Sequence, residues 1–395
     1  MGSPAGRGRD GAGPLIYLDH NATTPLDPRV FEAMLPYLRE AWGNPSSPYR
    51  FGQEARAAVE RARNRVAECL GCRPAEVLFT GGGTEADNLA LRGVTRALRD
   101  RGRHVVTSAI EHPAVLRTCK ALEADGVRVT WAEVSGDGVV DVAAVGRALG
   151  SDTVLLSVMH ANNETGVLQP VAELAELAHA RGVPFHVDAV QTAGKLPLRP
   201  AALGADLLAL SAHKFHGPKG VGALFVRSGT PLHPLLTGGE HERGLRAGTE
   251  NVAGIVGLAE ALALAQAEAQ AEAARVGALR DRLERAILAA VPGARVHGAG
   301  APRVPNTTNL ALPGVDGESV VVGLDLHGVC VSTGSACSTG DPAPSHVLTA
   351  MGVPPREAQS SVRFSLGRDT RPEDIDTVVR ALAEVVARLR AVSSL

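Results

Sequence analysis

The sequence predicts an α/β fold: a large domain on a mostly parallel sheet of seven strands, followed by a smaller α+β domain. Between about residue 75 and residue 230, short runs rich in Val, Leu and Phe alternate with Ala/Leu/Arg/Glu stretches of helical period, the pattern of repeated strand–helix units. From Asn251 to Val291 the chain is Ala-rich and helical in composition, ending at Pro292-Gly293, which suits a bridge of one or two helices. After Gly298 strands and helices come singly, in a block of about 100 residues that suits a smaller domain.

Taken in order, Met1 to Pro14 lacks an apolar core and reads as a flexible tail. The first strand of the sheet is expected at Glu76–Thr80, where an apolar run ends in Gly81-Gly82-Gly83 and a helix opens. Val-rich runs give strands at His104–Ser108 and Arg128–Glu133, and Thr153–Met159 is apolar enough for a centre strand. Pro184–Val187, Leu207–Ser211 and Ala223–Val226 complete the seven. The second block reads as strand Asn309–Leu312, helix Glu318–His327, strand Val329–Ser332, a loop, a helix capped near Ser345, strand Ser361–Ser365 and an amphipathic helix over Pro372–Val392. The division is a tail at 1–14, a large domain at 15–265 and a small domain at 266–395.

Composition narrows the function. A net charge of -2 with both signs mixed leaves no basic footprint for nucleic acid or a membrane surface, so small soluble substrates are expected. No apolar run of membrane-spanning length and no secretory signal stand out, and the expected location is the cytoplasm. Five cysteines without an export signal argue for free thiols. Cys69-Leu70-Gly71-Cys72 has no second pair, and no carboxylate or thiol completes a ligand set with His213 and His216, so no metal is expected.

Only four of the 40 basic residues are lysines: Lys120, Lys195, Lys214 and Lys219. Lys214 follows the strand Leu207–Ser211 in Ser211-Ala-His213-Lys214-Phe-His216-Gly-Pro-Lys219-Gly220. Arginine stays protonated in proteins, whereas a buried lysine can lose its proton and condense with an aldehyde, so Lys214 is a candidate Schiff-base lysine. The turn at Gly81-Gly82-Gly83-Thr84 opens a helix and can hold a phosphate, although it fits neither the dinucleotide fingerprint nor the P-loop. Asp188 ends another strand and can reach the same crevice. Taken alone it could be a helix cap; together with Lys214 and the glycine turn it meets what pyridoxal phosphate needs, namely an amine, a phosphate cradle and a carboxylate for the ring nitrogen. Cys337 lies among small polar residues, Ser332-Thr-Gly334-Ser-Ala-Cys337-Ser-Thr-Gly340, and is a candidate nucleophile on an exposed loop.

These residues belong to a set of ten ordered segments from Tyr17 onward. They include Tyr17-Leu-Asp-His-Asn-Ala-Thr-Thr-Pro25, Thr80 to Asn88, Glu111-His112, Asn162-Asn163-Glu164-Thr-Gly166, His186-Val-Asp188, Arg246-Ala-Gly-Thr249-Glu-Asn251, Gly334-Ser-Ala-Cys337 and Arg363-Phe-Ser-Leu-Gly367. In them the chain resembles the cysteine desulfurases of the class V aminotransferase fold, with selenocysteine lyases as close relatives. The resemblance implies a fold-type I homodimer with pyridoxal phosphate on Lys214. It implies that Gly83, Thr84, Ser211 and His213 hold the phosphate, with Thr249 reaching over from the other subunit. His112 would stack on the ring and carry protons, Asp188 would pair with the ring nitrogen, and Gln191 would bond the phenolic oxygen. Asn163 and Arg363 would receive the substrate carboxylate, Lys214 would take the α-proton, and Cys337 would take sulfur from L-cysteine as a persulfide, leaving alanine. A protein acceptor in iron–sulfur cluster or thio-cofactor assembly would then receive the sulfur. The chain ends soon after Arg368, so it is expected to lack the extension with which some desulfurases dock a scaffold. The rival readings are selenium removal from L-selenocysteine, an aminotransferase that does not use Cys337, and a delivery platform that is slow without its partner.

Overall fold

A computed structural model describes residues 15–334 and 344–393. The expected tail and Cys337 lie outside them. In chain order the elements are β1 (Ile16–Tyr17), α1 (Pro28–Arg39), α2 (Arg50–Leu70), β2 (Val77–Thr80), α3 (Gly83–Ala97), β3 (His104–Ser108), α4 (Pro113–Ala124), β4 (Arg128–Ala132), α5 (Val142–Ala148), β5 (Thr153–Met159), α6 (Val171–His179), β6 (Phe185–Asp188), α7 (Pro200–Leu203), β7 (Leu207–Ser211), β8 (Gly222–Val226), α8 (Val252–Ala290), β9 (Arg295–Val296), β10 (Thr307–Ala311), α9 (Gly317–Asp325), β11 (Val329–Cys330), α10 (His346–Ala350), α11 (Pro355–Gln359), β12 (Ser361–Ser365) and α12 (Pro372–Ser393).

The seven expected strands form one sheet in the order β2-β8-β7-β6-β5-β3-β4, with β8 antiparallel to both neighbours and every other pairing parallel. Thr80, Ser108, Met159, Asp188 and Ser211 therefore end their strands at one edge, where parallel α/β sheets collect ligands. The strand at Pro184 begins one residue later and runs on to Asp188. Pro184 has no N–H to give a ladder, although its carbonyl still accepts from Leu156 N at 3.0 Å. One face of the sheet packs through Leu78, Val105, Leu155 and Leu207 on α3 and α4, the other through Phe79, Val106 and Leu156 on α2, α6 and α8. With both faces covered, the centre strands are apolar along their whole length, as the runs in the sequence require.

The bridge is one helix. The 39 residues of α8 would be about 58 Å long at 1.5 Å per residue. Ile255, Leu258 and Leu262 join the large core, while Val276, Leu279, Leu283 and Ile287 join a separate core with β10, α9, β12 and α12. Although no unbroken apolar run of membrane-spanning length stands out in the sequence, α8 contains an 18-residue window with mean hydropathy 1.4. Packing decides its nature: 56% of that window is buried in the protein, as expected of a core helix. The second core also takes in the N-terminal segment. β1 pairs in parallel with β11, and Leu18 is fully buried there, so Ile16–Leu18 pack with the later half of the chain. The Cys69–Cys72 stretch is the end of α2, closed by Gly71 in the left-handed conformation at φ 67°.

Candidate active site

A cavity of about 790 Å³ opens at the carboxyl edge of the sheet, and most of the expected site residues line it: Gly83, Thr84, His112, Asn163, Asp188, Gln191, Ser211, His213 and Lys214. They come from five strand ends and the loops after them, which the parallel topology brings to one edge.

Lys214 closes a single 3₁₀ turn after β7. Its Nζ donates to the carbonyls of Asn21 at 2.6 Å and Ala22 at 2.8 Å. Burial pushes the amine down to about 8, helped by the Arg363 charge and opposed by Asp19 and Asp188. A usable fraction is therefore neutral near neutral pH. Asp188 ends β6, is buried, and accepts from Val190 N at 2.9 Å through Oδ1. Burial lifts its carboxyl to about 6, against the pull of the Val190 N–H and the Lys214 charge. A cationic ring N–H would supply the partner that this carboxylate lacks.

The glycine turn is shaped for a phosphate. Gly82 caps α3 with no side chain on the first N–H groups and stands at φ 153°. A Cβ on Gly83 would come 2.8 Å from Val190 Cγ2 and 3.4 Å from Ser211 Cβ, so only glycine leaves this cradle open. The residues present thus fit pyridoxal phosphate at three points: cradle, amine and carboxylate.

His112 caps α4 and its Nδ1 accepts from Ala114 N at 3.1 Å, which puts the ring proton on Nε2. Burial, and then the Lys214 charge, hold it down at about 4, so it is neutral at working pH. Arg363, on β12, is buried and adjoins the cavity through Asn163, whose carbonyl accepts from its Nη1 at 2.9 Å. Its Nη2 donates to Asp19 Oδ1 at 2.6 Å, and its Nε has no partner among the described residues. Thr249 is exposed and lies outside the cavity of its own chain. The described flanks of the Cys337 segment are anchored beside the site. Ser345 caps α10, as expected, and donates to Glu164 Oε2 at 2.5 Å, next to Asn163, while His346 Nε2 bonds the Glu111 carbonyl at 2.9 Å, next to His112. No group of metal-ligating side chains occurs among the described residues.

Several residues here received no role from the sequence. Asn21 is a hub: its carbonyl accepts from Lys214 and from Gln191 Nε2 at 3.0 Å, and its side chain bonds Lys195, Asn306, Thr307 and the Asn163 carbonyl. Asp87, in the cavity lining, and Glu111, next to His112, are buried carboxyls; burial pushes Glu111 up to about 8 and Asp87 well above the usual range, with the Asp188 charge adding to both. Glu111 is then a neutral acid at pH 7. The scarcity of lysine was the one signal that pointed to Lys195.

Residues 16–378 match the model of the class-V aminotransferase family. The chain is 47% identical over 378 residues to the cysteine desulfurase IscS of Dictyoglomus turgidum, covering 96% of each. Among solved structures, a NifS-like protein superposes with a TM-score of 0.89 at 39% identity, covering 95% of this chain and all of that one. A structure of SspA in complex with cysteine superposes at 0.78 with 33% identity, over 89% of this chain and 98% of that one.

Proposed function

The chain belongs to the class-V aminotransferase family, among its cysteine desulfurases, and we propose that it converts L-cysteine to L-alanine while passing the sulfur to Cys337. The observation that carries the reading is the meeting of Lys214, Asp188 and the bare N-terminus of α3 in one cavity. Pyridoxal phosphate, the cofactor, supplies the electron sink that protein side chains lack. Thr84, Ser211 and His213, with the N–H groups at Gly83, would hold its phosphate, Asp188 would pair with its ring nitrogen, and His112 would stack on its ring.

The chain's own groups then divide the work. Arg363 and Asn163 receive the substrate carboxylate, the guanidinium turning from Asp19 to make a two-pronged contact. Lys214, with its amine near 8, takes the α-proton. Neutral His112 holds its proton on Nε2 and its lone pair on Ala114 N, so it carries a proton when Nδ1 lets go of Ala114 N and takes one up as Nε2 gives its own. The Cys337 thiolate attacks the substrate sulfur: an S–S bond forms and the C–S bond breaks. The electron pair of that bond, with a proton, ends on the carbon that becomes the methyl group of alanine. No outside oxidant is needed. The anchoring of Ser345 and His346 beside Asn163 and His112 supports delivery of this segment to the cavity.

The exposed position of Thr249 supports a homodimer in which each copy completes the other's phosphate site. The persulfide on Cys337 would then pass its outer sulfur to a protein acceptor in iron–sulfur cluster or thio-cofactor assembly. The relatives favour sulfur over selenium as the element removed. The test is alanine release from L-cysteine with reductant present, wild type beside C337A. Loss in the variant with its cofactor absorbance intact is expected; equal release would remove Cys337 from the reaction. Turnover on L-selenocysteine far above that on L-cysteine would favour the lyase.

A further inference from the structure

We propose that Lys195 is a positioning residue, which holds the Gln191 amide with its oxygen turned away from the cofactor cavity and one N–H left facing it. The inference rests on the reading that pyridoxal phosphate occupies that cavity. Lys195 does not line the cavity itself. It lines a smaller void of about 80 Å³, which Lys214 also lines, together with His20, Asn306 and Arg368.

Two hydrogen bonds fix the arrangement. Lys195 Nζ donates to Gln191 Oε1 at 2.9 Å and to Asn21 Oδ1 at 2.8 Å. Gln191 Nε2 donates to the Asn21 carbonyl at 3.0 Å. A carboxamide has one oxygen and two N–H groups, so with the oxygen on Lys195 and one N–H on Asn21, a single N–H is left over. Gln191 is buried and lines the cavity, which is where that N–H can find an acceptor. Turning the amide over would set its oxygen against the Asn21 carbonyl, two acceptors face to face, and its N–H groups against a donor amine. Asn21 is itself braced by Asn306, Thr307 and the Asn163 carbonyl, so it cannot follow the turn. Enclosure and the nearby Lys214 charge push Lys195 well below the usual lysine range.

A donor at the cofactor's phenolic oxygen favours the deprotonated state, in which that oxygen keeps its full negative charge. Lys195 would therefore lower the pH at which the substrate-free, cofactor-loaded protein changes colour. The experiment is a pH titration of that absorbance band in wild type, K195M, K195R, Q191A and the K195M/Q191A double variant, with circular dichroism as the fold control. K195M should raise the midpoint by about one pH unit, a tenfold change in proton affinity. Q191A should do the same, the double variant no more than either, and K195R should restore the wild-type value. If K195M does not fold, K195Q, which keeps an N–H donor, should keep the wild-type midpoint. The proposal is overturned if K195M leaves the midpoint where Q191A moves it, if the two shifts add, or if K195Q shifts as Q191A does. A wild type with no colour band would instead fail the cofactor reading, so the two failures are distinguishable.

Discussion

Replacing Asp188 by Asn should make the cofactor-free protein more stable and the enzyme far less active. The Asp188 carboxyl is raised from 3.8 to about 6 by burial. A raised carboxyl binds its proton more tightly in the folded state, so stability falls as pH climbs between about 4 and 6, and the cost is complete above 6. Two pH units correspond to about 3 kcal/mol, carried at pH 8 by a buried carboxylate whose partner is the cofactor. Asn keeps the shape and an acceptor for Val190 N but has no charge to bury. Urea unfolding of the apoproteins should thus show D188N more stable at pH 8 by up to about 3 kcal/mol, with the gap closing as pH drops towards 4. Turnover of the loaded variant should fall by at least about a hundredfold, because the ring loses its charged partner. Equal or lower stability of the D188N apoprotein at pH 8, or a gap that does not depend on pH, would refute the reasoning.

Two further outcomes follow from the same geometry. In the apoprotein, labelling of Lys214 by an amine reagent should be half-maximal near pH 8, where a solvated lysine needs a pH above 10, because only the neutral amine reacts; pH-resolved peptide mass mapping reads this directly. In G83A, the new Cβ meets Val190 Cγ2 at 2.8 Å, and the cofactor dissociation constant, read by absorbance titration, should rise about tenfold or more.

Much of this architecture is legible in the sequence because it is local. His104–Ser108, Thr153–Met159, Leu207–Ser211 and Ser361–Ser365 are strands with the bounds their apolar runs mark. Lys214, Asp188 and the glycine turn each sit at a strand end, so a parallel sheet brings them together whatever the details of packing. Partners set by long-range folding are not legible in this way. Asn21 meets Gln191 and Lys214 across 170 and 193 residues, and nothing in its own segment distinguishes it from the asparagine of a turn. The same holds for Arg363 and Asp19, which are 344 residues apart. The continuity of α8 was open for another reason: an Ala-rich stretch has one period throughout, and only the tertiary contacts show that its two halves serve two cores. Ile16–Leu18 fall in the second core because β1 pairs with β11, a pairing that two-residue strands do not announce.

The most direct test of the central claim is to reduce the cofactor-loaded protein with borohydride and map the modified peptide by mass spectrometry. The account predicts the pyridoxyl group on Lys214. Finding it on Lys195 or Lys219, or on no lysine at all, would contradict the site described here.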